Sequence, residues 1–506
     1  MRLTKIHLRD FRAFPGEFEL NLPGGCSLLI YGENGSGKSS LAGALRDFIA
    51  LDRPFPRPID PHAHAFPDPA LRQPRIQLVF EQGGMSETAT WETAKLHPLE
   101  LDDGKTPAST TPAQRQALAA VARQSGFYDY RVLLRTSYRS GGGDLGEQLF
   151  LLFVENLLGG FPLVVGGSEF VRERWALLKN TTPVNRWPAR MRRANLVASP
   201  LNKVLPAFLD QTRAEANRLL ATYFPNQCLV IQALTTPGCS FAKETKKLTG
   251  QRILPEIEYN GRKVDGHEEF LNEARLTSLG LSMFLAALKL ADSNPAAPDP
   301  LRLLVLDDVL IGLDMSNRVP LLECLRLEFP HHQIILLTYD ELWFNIAREH
   351  TEKWGTWRSA QLFAEITGPN DPPIPRLKDS TDDLLVATRY LNINDLRPAA
   401  LYVRAAFENR LRTVCEDKHL KLDFKKDVKK VTADMLWTAI LARHAEMVAG
   451  GKEFVDPNLI PGIEAIRSQV LNRLIHDDGV GLTRPDVMAA VDTMNKFRAT
   501  SIPHKP

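Results

Sequence analysis

The chain opens on alternation. Leu3, Ile6 and Leu8 precede Phe18, Leu20 and Leu22 with a break between them, which predicts a β-hairpin. The unbroken apolar run Cys26–Tyr31 predicts a buried strand. Leu41, Ala44, Leu45 and Phe48 then fall at helical spacing, predicting a helix over Ser39–Ile49. A proline-rich stretch from Arg53 to Pro69 leads to a second strand pair around Ile76–Glu81 and Glu87–Trp91. Helical patterns return at Leu145–Leu158, Glu169–Lys179 and Leu201–Phe224. Gly159-Gly160, Pro188, Pro200 and Pro206 among them predict short pieces that fold back rather than one long rod.

Further on, Glu256–Tyr259 and Arg262–Val264 flank Asn260-Gly261, a strong hairpin signal. An apolar helix, Leu281–Ala291, precedes two apolar strands, Leu301–Leu306 and Gln333–Leu337. Beyond the Pro/Gly-rich stretch 367–373 the pattern becomes all-helical, with a long helix from Asn394-Asp395 to about Lys418. Mixed strands and helices followed by helices alone predict an α/β unit and then an all-α domain. The expected divisions are 1–143 for a first lobe, 144–250 for a helical arm, 251–375 for a second lobe and 385–506 for the C-terminal domain.

Between the first buried strand and helix lies Gly32-Glu33-Asn34-Gly35-Ser36-Gly37-Lys38-Ser39-Ser40, a full match to G-x-x-x-x-G-K-[ST]. Gly35 and Gly37 let the backbone wrap a phosphate, with Asn34 and Ser40 on its margins. Lys38 reaches the β/γ-phosphates, and the Ser39 hydroxyl suits Mg²⁺. ATP and Mg²⁺ are the expected ligands. The strand Leu301–Leu306 ends in Asp307-Asp308: Asp307 would hold the metal shell, and Asp308 would polarise the attacking water.

At 506 residues two or three domains are expected. A net charge of +2 argues neither for nor against nucleic acid, so only local basic groups bear on it. One such group, with Trp175 and Trp187, is Arg172, Arg174, Lys179, Arg186, Arg190, Arg192 and Arg193. Lys243, Lys246, Lys247 and Arg252 form another, and both suit either a solvated face or a phosphate-backbone contact. Five dispersed cysteines without a C-x-x-C pair read as reduced residues of a cytoplasmic protein. No secretory segment and no run of about 18 apolar residues occurs, so no membrane is expected. Asp60-Pro61-His62-Ala63-His64 reads as a proline-rich loop rather than a metal corner, lacking a completing ligand pair at metal spacing.

The opening "KIHLRDFRAF … NLPGGCSLLIYGENGSGKSSL", with the Asp307-Asp308 strand, resembles the RecF/SMC-like branch of ABC-type ATPases. The resemblance implies a phosphate contact for Arg12. It places Gly312-Leu313-Asp314 at the D-loop and Thr338-Tyr339-Asp340 where that family has Thr-His-Asp. It puts Thr277 and Ser278, ahead of the helix Leu281–Ala291, in the signature that caps the other protomer's ATP, which implies a homodimer or higher oligomer. Asp308 stands where a Glu is usual, one methylene short of the water. Tyr339 replaces a histidine and cannot titrate near neutrality; both changes imply slow hydrolysis.

In the C-terminal helix the apolar stripe is Ala400, Val403, Phe407, Leu411 and Val414, and projection puts Arg404 and Glu408 inside the arc bounded by Leu401 and Leu411. That R-x-x-x-E pair and the later Asn472-Arg473-Leu474-Ile475-His476 are similar to HEPN-type ribonuclease domains, carried after the head by PrrC/RloC-type ATPases. The resemblance implies a metal-independent RNA-cleaving site of Arg404, Glu408 and His476. A structural Arg–Glu pair in a docking domain is the alternative. The whole then reads as an anti-phage ATPase acting on DNA or RNA through its own C-terminal domain or a partner nuclease, as in Septu-like PtuA systems. A RecF-like DNA-repair ATPase and a non-hydrolysing ATP-dependent scaffold are the other readings.

Overall fold

In the computed structural model the described residues are 1–49, 73–95, 97–99, 108, 110–123, 125–137, 144–159, 161–164, 169–181, 188–292, 301–366, 368, 371–379, 383–422, 431–467 and 482–499. The chain divides into two compact units, Met1–Asp379 and Ser380–Pro506.

The first unit begins with β1 (Arg2–Phe11), β2 (Phe14–Asn21) and β3 (Ser27–Tyr31), then α1 (Lys38–Ile49), β4 (Arg75–Gln82) and β5 (Met85–Glu92). Next come α2 (Pro112–Arg123), β6 (Gly126–Asp129) and α3 (Tyr130–Ser137). A helical section follows: α4 (Leu145–Leu151), which widens to i→i+5 bonding over Leu152–Leu157, then α5 (Val171–Asn180) and α6 (Pro188–Tyr223). Then come β7 (Leu229–Thr235), β8 (Ser240–Phe241), β9 (Leu248–Thr249), β10 (Leu254–Tyr259), β11 (Arg262–Val264), α7 (His267–Phe270) and α8 (Glu273–Asp292). The unit closes with β12 (Leu303–Asp307), α9 (Met315–Glu328), β13 (Gln333–Thr338), α10 (Glu341–Glu352), β14 (Trp357–Glu365) and β15 (Ile374–Asp379).

Six strands form the central sheet in the order β15-β14-β3-β13-β12-β6, parallel except for β15. A second, antiparallel sheet runs β2-β1-β4-β5. The inner strands β3, β12 and β13 are apolar through their middles because each face feeds its own core. Leu28, Ile30, Leu303, Val305, Ile335 and Leu337 pack toward α1 and the antiparallel sheet. Their neighbours Leu29, Leu304, Leu306, Ile334 and Leu336 pack toward α6, α8, α9 and α10. Gln333, wholly buried, links the two sheets: its amide donates to Leu3 O (2.7 Å) and Cys26 O (3.1 Å) and accepts from Leu3 N (2.9 Å).

One expectation fails at α6. The prolines do not break it: a single 36-residue helix runs through Pro200 and Pro206, about 54 Å of rod at 1.5 Å per residue. Each interior proline costs about 3 kcal/mol. Leu201, Leu205, Phe208, Leu209, Leu219 and Leu220 are all buried. At roughly 1.5–3 kcal/mol per large apolar side chain, that burial outweighs the prolines. The Asn260-Gly261 turn has φ of +50° and +75°, the left-handed backbone a two-residue hairpin loop needs.

The second unit is helical: α11 (Asp383–Asn392), α12 (Leu396–Asp417), α13 (Ala433–Ala449), α14 (Ile460–Ile466) and α15 (Arg484–Ala499). Val403, Phe407, Leu411 and Val414 of α12 centre its core with Trp437, Ile463, Val487 and Phe497. Trp437 Nε1 donates to Glu464 Oε1 (2.6 Å), which satisfies the one polar atom of a buried indole. Leu401 is half exposed, so the apolar arc is narrower than the projection drew it and Arg404 and Glu408 lie on its border.

Among the described residues one helix, Glu273–Ala291, is long and apolar enough to cross a membrane, but 78% of its apolar window is buried inside the unit.

Candidate nucleotide site

The loop after β3 is shaped by its glycines. Gly35 and Gly37 have φ of +87° and +102°, backbone that side-chain-bearing residues rarely adopt. A Cβ at Gly37 would stand 3.2 Å from Pro375 and 3.3 Å from Phe14. Lys38, only 4% exposed, turns back along the loop and donates to Gly32 O (2.6 Å) and Glu33 O (3.2 Å). Its Nζ also lies 3.8 Å from Asp308 Oδ2. Ser36 Oγ is buried with no hydrogen bond among the described residues. α1 starts at Lys38, so its first N–H groups open into the same loop.

The acidic groups come from the carboxyl ends of neighbouring strands, where open parallel sheets place their ligands. Asp307 closes β12 and is 5% exposed; Ser39 hydrogen-bonds its side chain, while Oδ1 has no hydrogen bond among the described residues. Burial raises its pKa to about 6, and the charges of Asp308 and Asp129 push the same way against Ser39 and Lys38. Asp308 sits at φ +54°. Its Oδ1 accepts from Tyr339 N (2.9 Å). Burial raises its pKa too, opposed by Lys38 and that N–H. A buried carboxylate oxygen without a partner, beside a serine hydroxyl, is a donor set suited to a hard divalent cation. Ser39 and Asp307 therefore fit Mg²⁺.

Arg12, at φ +48° where β1 ends, pairs with the buried Asp47 and lies against Gly43 of α1. Asp129, at the end of β6 and in register with Asp307, accepts from Arg46 Nη1 (2.7 Å) and from Val132 N (2.8 Å). Asp340 caps α10, accepting from Trp343 N (3.0 Å). It is held by Arg318 (2.5 Å), whose Nε donates to Leu313 O (2.6 Å). That arginine locks the turn around Asp314, which precedes α9, to the end of β13. Arg12, Asn34, Ser39, Ser40, Asp307, Asp308 and Tyr339 share one cavity of about 770 Å³.

Thr277 and Ser278 do not join it. The helix expected from Leu281 starts two turns earlier, at Glu273, so both residues are interior and fully buried. Ser278 Oγ donates to Ala274 O (2.8 Å), and the Thr277 hydroxyl faces Gly312. The exposed start of α8 is Asn272, whose Oδ1 accepts from Arg275 N (3.0 Å), followed by Glu273. An asparagine cap with an acidic first turn is a sequence signal that would have found this start. Asp129 and Arg46 gave no such signal, because a strand and a helix 83 positions apart bring them together.

In the second unit Arg404 Nε donates to Glu408 Oε1 (2.9 Å), each side chain about one-third exposed. His476 lies outside the described residues, as do Asp60–His64, Arg186 and Trp187. Part of the arm's basic charge is neutralised locally: Arg174 pairs with Glu169, Lys179 with Glu155 and Arg252 with Asp144. No cluster of three or more metal-ligating side chains occurs among the described residues.

The loop, the strand order and the carboxylates together have the form of a P-loop nucleotide site on an α/β unit. Comparison with known proteins adds a sequence match to the AAA domain over residues 5–57. No curated protein matches the chain. Among solved structures, an SMC head bound to the C-terminal winged-helix domain of ScpA is similar at 11% identity and TM-score 0.42, covering 75% of this chain and 98% of that one. The SMC head domain from Thermotoga maritima is similar at 15% identity and TM-score 0.36, covering 76% and 100%. An SMC head with an extended coiled coil, bound to the C-terminal domain of ScpA from Pyrococcus furiosus, is similar at 12% identity and TM-score 0.43, covering 77% and 98%.

Proposed function

We propose that the first unit binds ATP with Mg²⁺, hydrolyses it slowly, and pairs through this face with a second copy. The observation that carries the reading is the convergence of Asn34, Ser39 and Ser40 of the phosphate loop with Asp307 and Asp308 on one cavity, with Lys38 Nζ 3.8 Å from Asp308. Ser39 and Asp307 would hold the metal, which when bound supplies positive charge to the phosphate oxygens. The loop N–H groups and Lys38 orient the phosphates. Asp308, fixed by the Tyr339 N–H, takes the proton of the attacking water, and its short side chain makes that reach poor. Tyr339 offers a hydroxyl donor at the cavity wall.

In an ABC-type pair the start of α8 would meet the partner's nucleotide, and the groups exposed there are Asn272 and Glu273. A turnover below about 10 s⁻¹ is expected, the median for enzymes. Lys38→Ala should abolish it. Light scattering of Asp308→Asn should give a dimer with ATP and a monomer without. A monomer in both conditions contradicts the pairing, and a turnover well above 10 s⁻¹ contradicts the slow site.

The nucleotide state, in this reading, controls a nucleic-acid-directed effector in cytoplasmic anti-phage defence: either the C-terminal unit itself or a partner nuclease. What supports it is a separate helical unit that follows the P-loop unit and carries a half-buried Arg404–Glu408 pair. Arg404→Ala and His476→Ala, assayed for RNA cleavage and toxicity, separate the two effectors. Loss of both activities favours an intrinsic nuclease, and no change leaves a docking domain. A DNA-repair role through the arm has less behind it, because Arg174, Lys179 and Arg252 of its basic groups are already paired with carboxylates of the same unit.

A further inference from the structure

Four arginines line the cavity, and they are not in the same state. Arg12 and Arg46 are held by Asp47 and Asp129. Arg131 and Arg135, on α3, are exposed and make no ion pair among the described residues. They sit at i and i+4, one turn apart on one helix face, with Cβ atoms roughly 5–6 Å from each other. Leu133, Thr136 and Ser137 take the buried face, which leaves the arginines to the cavity. Like charges at this spacing slightly destabilise a helix, so the pair carries a small cost that an anion would relieve. A planar guanidinium fork is the side chain best matched to phosphate oxygens.

The placement of α3 says which phosphate. Asp129, the residue before α3, pairs in register with Asp307, so α3 rises from the wall that carries the metal-binding carboxylate. Asp129 also fixes the first turn by accepting from Val132 N, while Arg46 holds its other oxygen. Ala42 and Gly43 of α1 line a different part of the same cavity. We propose that Arg131 and Arg135 grip the terminal phosphate of the bound nucleotide from within the same chain, making the site discriminate ATP from ADP. The proposal rests on the nucleotide reading above. The other face of α3 packs on α8, where a Cβ at Gly280 would stand 3.0 Å from the Tyr128 hydroxyl and collide with Ser137 Oγ. A grip on α3 is thereby transmitted to the helix whose start would meet the second copy.

The test measures binding of ATPγS and ADP, each with Mg²⁺, to the purified full chain. In the Arg131→Ala/Arg135→Ala variant the ATPγS Kd should rise about 10- to 100-fold, the range for charged hydrogen bonds to phosphate, while the ADP Kd stays within about threefold. The double Lys variant keeps the charge but not the fork and should fall between. Equal weakening of both nucleotides would make the arginines structural, and an unchanged ATPγS Kd would remove the contact; either overturns the proposal. Unchanged nucleotide binding with lost binding of a single-stranded oligonucleotide would assign the pair to a nucleic-acid backbone instead. If the unmodified chain binds neither nucleotide, the nucleotide reading itself falls.

Discussion

Asp307→Asn should make the nucleotide-free protein more stable while abolishing its response to Mg²⁺. Asp307 is 5% exposed and its Oδ1 has no hydrogen bond among the described residues. Its pKa stands at about 6 against an ordinary 3.8, chiefly from burial. A rise of about two pH units, at about 1.36 kcal/mol for each, makes the ionised form cost about 3 kcal/mol in the fold. The sign follows from proton linkage: the folded chain holds this proton more tightly than the unfolded chain, so the benefit is full below about pH 4. It is lost progressively as pH rises toward 6 and is gone above that. At pH 7.5 an uncharged amide removes the cost, and about 1 kcal/mol or more is returned because the amide N–H groups need partners of their own. A net gain of about 1–2 kcal/mol remains.

The assay is urea unfolding of both proteins at pH 7.5 and pH 4.5, in EDTA without nucleotide, then at pH 7.5 with Mg²⁺ and ATPγS. The variant should lead in EDTA at pH 7.5 and lose that lead at pH 4.5. With Mg²⁺ and nucleotide, the parent alone should gain strongly. A variant less stable than its parent in EDTA at pH 7.5 would refute the argument from buried charge.

Gln333→Leu should cost more than about 3 kcal/mol in chemical denaturation, since three backbone groups of Leu3 and Cys26 lose their partner; a cost under 1 kcal/mol would mean the two sheets do not depend on that bridge. Burial tends to raise the pKa of Glu328, but hydrogen bonds from Arg218, Lys289 and Tyr223 hold it at about 2. Its contribution should therefore persist above pH 4.5 and fade between 4.5 and 2, and Glu328→Gln should flatten that acid limb of the stability curve. Pro206→Ala should stabilise the first unit by about 1 kcal/mol or more, because the exposed ring removes an N–H from the interior of α6; a loss of stability would mean the ring sets a bend the packing needs.

Local chemistry was legible in the sequence. The phosphate loop is written in nine consecutive residues because its glycines and lysine act within one turn of backbone. The Asn260-Gly261 hairpin and the apolar strands were equally plain, each set by a short-range pattern. The α/β class followed from their order. What misled were positions where a local signal met a tertiary sum. Pro200 and Pro206 predict breaks, but the burial of six large side chains along α6 outweighs them. The apolar run from Leu281 alone predicts too late a start for α8; the Asn272 cap sets it, and Thr277 and Ser278 lie in the interior.

Short-range pattern alone is enough to write a phosphate-binding loop between a buried strand and a helix, with two carboxylates at the end of a later strand. Which groups share the cavity with them depends on the folded chain. Asp129, Arg131 and Arg135 stand beside Asp307 because β6 pairs with β12, residues nearly two hundred positions away. Gln333 reaches Leu3 across 330 positions for the same kind of reason. Strand pairing is chosen by the sum of many weak apolar contacts across the sheet, and no single residue advertises it.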